Sequence, residues 1–404
     1  EFSIEYDNSE PTLTPVTITS NQTQNNLVRV GKKANLNFTA LEEIENVQVS
    51  IHGNPVVANS GDGLVWSASY TFTDDDDPEG TVTFTIDFDD LAGNAGVQVT
   101  ELNFGGTDLT FDKTPPQFSD IVVSTSNTSG TFSKADDIIT ITFTSSESVN
   151  TPTVTINGVG ATLSGGPTTW TATHTLGAAE TERLIPYTIT ATDIAGNQSL
   201  MVSEISGIYF DRTPPVISSA TVPAGEYKLG DSFDVTITAN DDIYDEYAVS
   251  VNGKGALTFN NQNNNQYKVT YNVEAADNQQ NAVNTLPVSL QLEDFAGNFN
   301  NPAFTTATVD GGTLTIDTQL PVIGSVTSDA EGTDNLLIDS TILFTVTLSS
   351  TPETGLIVNP QEYNGVPLVW APNGTGSIYT ATYKVEPGHT DCPVPAQLGD
   401  VTLT

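Results

Sequence analysis

One cysteine, one methionine and eleven basic side chains are scattered through 404 residues, and each shortage excludes something. The lone Cys392 has no partner for an internal disulfide, so packing or metal must hold the chain together. Lys and Arg total 11 against 50 Asp and Glu, a formal net charge of −39. A surface of that sign repels nucleic-acid phosphates, which argues against a nucleic-acid partner. No apolar run reaches the roughly eighteen residues that a membrane-spanning helix needs. His52, His174 and His389 stand at unrelated positions, so a shared histidine site is not expected. Helical periodicity is nearly missing as well, while period-two alternation is everywhere.

Repetition is what the chain has instead. At 7–11, 112–116, 211–215 and 317–321 an Asp stands four residues before a Pro, and the middle two copies read Asp-Lys-Thr-Pro-Pro and Asp-Arg-Thr-Pro-Pro. The Asp-to-Asp intervals are 105, 99 and 106 residues, which marks a tandem array of modules. A second phrase, Asp-x-Ala-Gly-Asn, begins at Asp90, Asp193 and Asp294, at intervals of 103 and 101. The expected modules are 12–112, 113–211, 212–317 and a truncated 318–404, after a segment 1–11 that ends a preceding repeat. Phe2, Ile4 and Tyr6 alternate like the last strand of such a repeat, as expected of an excised piece of a longer protein.

Within a module the alternation predicts short strands. Ile139, Ile141 and Phe143 alternate with threonines, as do Tyr187, Ile189 and Ala191. His52-Gly53, Asn157-Gly158, Asn252-Gly253 and Asn364-Gly365 are hairpin signals, because these residues tolerate positive φ. Trp66, Trp170, Tyr267 and Tyr379 share one position on a later strand. Seven or so strands with one buried face each, and a turn about every dozen residues, predict all-β immunoglobulin-like sandwiches in an elongated rod.

The Asp-x-Thr-Pro-Pro opening, the mid-module Asn-Gly and the late Asp-x-Ala-Gly-Asn resemble the bacterial Ig-like repeats of very large secreted adhesins, nearest those of gliding and surface-attached bacteria. The resemblance spans essentially the whole chain. It is looser at Asn8-Ser9-Glu10-Pro11, at Thr318-Gln319-Leu320-Pro321 and in the Pro-rich insertion 386–396. It implies cell adhesion from a bacterial surface, with a surface polysaccharide or other extracellular ligand as partner.

In immunoglobulin topology the linker, the second loop and the sixth loop meet at the N-terminal pole. The first module brings Asp7, Glu42 and Asp90 with Asn94 to that pole. The second brings Asp112, Glu147, Asp193 and Asn197. The third brings Asp211, Asp241, Asp242, Asp294 and Asn298. Hard oxygen ligands from separate loops suit structural calcium. The same phrases also make good turns, since Asp bonds backbone N–H groups two residues on and Gly and Asn accept left-handed backbone. The recurring acid in the second loop is what turn chemistry leaves unexplained.

Other features point less far. Asp74–Asp77 is a charge run of the kind that is usually solvated, placed where it can assist the junction at Asp112. Cys392 reads as a filler. Asn373-Gly374-Thr375-Gly376 lacks the Lys and helix of a phosphate loop. Tyr244 and Tyr247 among acids suit either a small carbohydrate loop or ordinary strand-edge packing. No nucleophile–base pattern or zinc spacing occurs, so no enzyme is expected. The expected function is a non-catalytic, calcium-stiffened segment of an adhesin. The alternative is a set of spacer modules in a secreted polysaccharide-degrading enzyme.

Overall fold

Alternating apolar and hydroxyl side chains carry directly into the strands. In Ile138–Ser145 the residues Ile139, Ile141 and Phe143 are buried while the threonines between them face outward. The computed structural model describes residues 6–24, 26–74, 78–103, 105–241, 243–330, 336–349, 356–360, 362–374, 376–389 and 401–403. Phe2, Ile4, Asp75–Asp77, Asp242, Thr375, Cys392 and most of the Pro-rich insertion lie outside them. Among the described residues every regular element is a strand and none is a helix. The chain is all-β.

The chain forms two compact units, Glu1–Thr213 with Phe295–Asn298, and Pro214–Asp294 with Phe299–Thr404. The first unit holds two separate hydrophobic cores. Around the second of these, one sheet runs in the order Phe118–Thr125, Ile138–Ser145, Thr169–Thr175, Thr162–Gly165. The facing sheet runs Phe132–Ser133, Val202–Phe210, Arg183–Thr190, Thr153–Ile156, Val159–Gly160. Phe132–Ser133 pairs in parallel with Val202–Phe210, and the other pairs of this sheet are antiparallel. That strand order is the immunoglobulin sandwich, with the first strand switching sheets through the loop at 126–131. Around the first core, Leu13–Ser20 and Leu27–Val28 make the same switch.

The hairpin positions hold as left-handed pairs. His52, Asn157, Asn252 and Asn364 have φ between 52° and 56°, and the glycine after each is also positive. A β-branched residue there would be strained. The aromatic position is shared too, in register with the strand beside it. Phe38 pairs with Trp66, Phe143 with Trp170, Ile237 with Tyr267 and Val346 with Tyr379. Trp170 and the two tyrosines are buried, and half-buried Trp66 stacks parallel on Phe38 at 6.3 Å.

In the second unit the largest core lies within 217–316. Here the first strand does not break. Ile217–Lys228 runs through and pairs in parallel with Phe304–Asp317, so both faces belong to one continuous sheet. A register shift between Pro223 and Gly225 and the positive φ of Gly311 and Gly312 supply the bend;. The last sandwich packs around two smaller cores, and Val358–Asn359 pairs with Thr402–Leu403. Tyr244 is buried and donates its hydroxyl to Asn240, while Tyr247 stacks on Phe299 at 4.1 Å. Both fit strand-edge packing.

Trp170→Ala is expected to cost about 3–5 kcal/mol of the second core's stability by leaving a cavity. Hydrogen exchange should show faster opening across 138–210, with protection of Val235 and Tyr267 unchanged. Equal loss of protection in both places would mean that the cores do not unfold separately.

Candidate functional site

The linker aspartate does the same local work in all four copies. Ser9, Thr114, Thr213 and Gln319 each donate their backbone N–H to the Oδ1 of the Asp two residues earlier, at 2.9–3.2 Å. This is the Asx-turn that such residues favour. It occupies one oxygen of each carboxylate.

Asp-x-Ala-Gly-Asn folds as a closed turn. Asp193 Oδ1 accepts from the backbone N–H of Gly196 and of Asn197, and Asp193 Oδ2 accepts from the Asn197 amide at 2.8 Å. Asp90 and Asn94 repeat the arrangement. The same asparagine amide reaches one step further, to the carbonyl of the linker aspartate. Asn94 donates to Asp7 O at 3.3 Å, Asn197 to Asp112 O at 3.1 Å and Asn298 to Asp211 O at 3.2 Å. Each asparagine thus ties the linker to the sixth loop.

With linker and loop held together, the acids meet. Carboxylate oxygens of Asp7, Glu42 and Asp90 lie within 4.8 Å of one another, and so do those of Asp112, Glu147 and Asp193. Calcium–oxygen distances of about 2.3–2.6 Å allow ligands of one ion to stand up to about 5 Å apart, so both groups fit. Asp90 and Asp193 are almost fully buried. None of these six acids is in an ion pair among the described residues. Asp89, beside Asp90, takes a separate partner by accepting from Asn46.

Counter-charge is close in sequence but aimed elsewhere. Lys113 follows Asp112, yet its ammonium donates to the Asp74 carbonyl at 2.7 Å. Arg212, in the same place after Asp211, donates to the Ala178 carbonyl. Glu79 and Glu182 reinforce this, accepting from the backbone N–H of Lys113 and Arg212 at 2.7 and 2.8 Å. Sequence reasoning missed both glutamates. Their spacing of 103 residues matches that of Asp90 and Asp193, so the repeat period itself held the signal.

Uncompensated charge shows in the acidities. Burial, then Asp112, Asp193 and Glu79, push the Glu147 carboxyl up to about 7. Asp112 is raised as well, by burial and by Asp193. Asp90 goes the other way, because the Asn94 side chain and nearby backbone N–H groups bond its charged form. The second group is therefore the more strongly frustrated.

Of the third set, Asp241 and Asp294 belong to one compact unit and Asp211 and Asn298 to the other. Asp241 and Asp294 both act on the Tyr244 phenol, which burial first and Asp241 next push upward. Asp242 lies outside the described residues.

The tip of the sixth loop has a second contact. Gln22 donates to the Ala195 carbonyl at 3.2 Å, and Arg29 lies against Gly196. One repeat later, Asn127 donates to the Ala296 carbonyl at 2.9 Å and Lys134 to the Gly297 carbonyl at 2.6 Å. In both cases an amide and a cation seven residues apart receive the Ala-Gly tip. The small residues are required there. A Cβ on Gly196 would stand 3.2 Å from Arg29 Nε, and its φ is +94°.

No family model matches the chain, and no curated protein sequence does. Solved structures with similarity include an I-band fragment of titin, at 9% identity over 78% of this chain and 100% of that one, with TM-score 0.36. A four-domain ICAM-5 ectodomain fragment is similar at 11% identity over 98% and 97%, TM-score 0.30. Fibronectin(III)-like modules of Clostridium thermocellum CbhA are similar at 13% identity over 48% and 94%, TM-score 0.26. The immunoglobulin-like assignment rests on the strand order given above.

Asn197→Ala removes the bond to Asp193 and the bond to the linker together. A hydrogen bond to a charged group contributes about 1.5–3 kcal/mol, and a loss in that range is expected for local opening of 191–199. Hydrogen exchange measures it, and an unchanged rate would show that the amide does not tie linker to loop.

Proposed function

We propose that this chain is a non-catalytic spacer segment of a large extracellular bacterial adhesin, and that calcium held by the joint carboxylates stiffens it. The observation that carries this reading is the pair of three-acid groups, each drawn from a linker and two loops and each without a paired cation. A divalent ion there would link the incoming chain to the sandwich that follows. Asp7, Glu42 and Asp90 would supply oxygens at the first joint, and Asp112, Glu147 and Asp193 at the second. Asn94 and Asn197 hold the linker carbonyl in place beside them. The tandem sandwiches and their recurrent phrases support the spacer role, since repeated modules couple mainly to their neighbours.

Extracellular calcium modules bind with dissociation constants of roughly 10⁻⁴–10⁻³ M. At ten times that concentration a site adds about 1.4 kcal/mol to the folded state. Binding also offsets the burial and the neighbouring acids that raise Glu147. In the ion-free protein Glu147 holds its proton more tightly when folded than when unfolded, so the folded state binds more protons between the ordinary glutamate range and about pH 7;. Its contribution to stability therefore falls as pH rises through that window. Calcium affinity moves oppositely, because the ion needs the ionised carboxylate.

Calorimetry at pH 8 is expected to show calcium binding in the millimolar range, with a melting temperature lowered by chelator. Asp193→Ala should remove the second site and leave the first. Below about pH 7 the second site should weaken with the protonation of Glu147, and Glu147→Gln should flatten that dependence. Absence of binding heat at millimolar calcium, together with a melt indifferent to chelator, would reduce the acid groups to turn chemistry and overturn the calcium reading.

A further inference from the structure

The two tip contacts in the first unit are repeats of one design, so a difference between them is informative. At the second, Asp137 stands three residues after Lys134, and its carboxylate accepts from the Lys134 backbone N–H and from the Asn127 amide at 2.7 and 2.8 Å. At the first, the matching residue after Arg29 is Lys32. An acid has been exchanged for a second base. In a chain with 11 basic and 50 acidic residues, two cations flank one cleft, and neither forms an ion pair or a side-chain hydrogen bond among the described residues. Both are half-buried.

The cleft lies between the loop at 21–24 and the tip Ile194, Ala195 and Gly196, with Arg29 and Lys32 in its wall and a volume of about 300 Å³. That is near the lower end of small-molecule sites, roughly 300–1,000 Å³. One further atom is out of balance. Gln22 spends its Nε2 on the Leu27 and Ala195 carbonyls, while its buried Oε1 receives no donor. A buried acceptor without a donor is costly. The unmet demands are thus for negative charge at Arg29 and Lys32 and for a hydroxyl or amide donor at Gln22.

We propose that this cleft binds a hydroxylated carboxylate of monosaccharide size, a uronic acid unit of an acidic polysaccharide. The carboxylate faces Arg29 and Lys32, and the Gln22 side chain turns its covered Oε1 outward to accept from a ring hydroxyl. The net negative charge of the protein does not forbid this. Screening over about 8 Å at physiological salt lets the local pair dominate. The site rests on its own residues, and only the choice of a polymer rests on the adhesin reading.

The test is titration of the whole chain with glucuronate, glucose, sodium sulfate and a glucuronate-containing oligosaccharide, followed by NMR. Glucuronate is expected to shift Gln22, Arg29 and Gly196 at millimolar concentration, and glucose is not. Arg29→Gln and Lys32→Asp should each weaken binding at least tenfold without lowering the melting temperature. Lys268→Gln, the same charge change as Arg29→Gln placed elsewhere, should not alter it. Lys32→Asp recreates the second joint's arrangement, so undiminished binding by that variant overturns the proposal. Sulfate binding as well as glucuronate, or no binding by glucuronate, overturns it too. Tighter binding of the oligosaccharide than of the monomer supports the polymer, and equal binding overturns that part and assigns the cleft to a free hydroxy acid. Neither result depends on calcium at the acid groups, because the titration is repeated on protein stripped of calcium and then dialysed free of chelator.

Discussion

Asn94, Asn197 and Asn298 each donate an amide N–H to the carbonyl of a linker aspartate, and the rest of a joint is arranged around that bond. It fixes where the incoming chain lies relative to the sixth loop. At the first two joints the linker carboxylate then stands beside the buried aspartate of the same loop, and the second loop adds a glutamate. The crowding of like charge at Asp112, Glu147 and Asp193 follows from a hydrogen bond between neutral groups. An amide suits this position because it donates to carbonyl and carboxylate together, which a carboxylate in its place would not do.

The two three-acid groups share a plan and differ in electrostatics. In the first, Asp90 is stabilised in its charged form by Asn94. In the second, burial and neighbouring acids raise Glu147 and Asp112. The second linker is also clamped from behind, by Glu79 on the Lys113 backbone and by the Lys113 ammonium on Asp74. Drawing the lysine backward turns a neighbouring positive charge away from the group.

Much of this was legible in the sequence because it is local. Period-two alternation gave Ile139, Ile141 and Phe143 their buried face, and Asn157-Gly158 its turn, from chain geometry alone. The common aromatic was visible because register carries one position through every copy. What stayed hidden acts between separate segments. Gln22, Arg29, Asn127 and Lys134 are ordinary polar residues until the Ala-Gly tip of a distant loop reaches them. Glu79 and Glu182 likewise acquire meaning only from the linker they clamp. The unbroken strand Ile217–Lys228 was unreadable for another reason: its alternation resembles that of Phe118–Thr125, and only sheet pairing shows that it continues.

That unbroken strand gives the array a grammar. The loop carrying Gln22 or Asn127 exists because the first strand of those sandwiches stops and restarts, and Ile217–Lys228 offers no such loop. A sandwich of the third kind keeps the base and the acid of the socket, with Asp231 accepting from the Lys228 backbone N–H as Asp137 does from Lys134, but not the loop that carries the amide. Duplication or shuffling of these units during evolution is therefore not free. Copies of the first two kinds carry the socket whole, whereas a copy of the third carries its base and acid without the amide-bearing loop, so the order of copies matters.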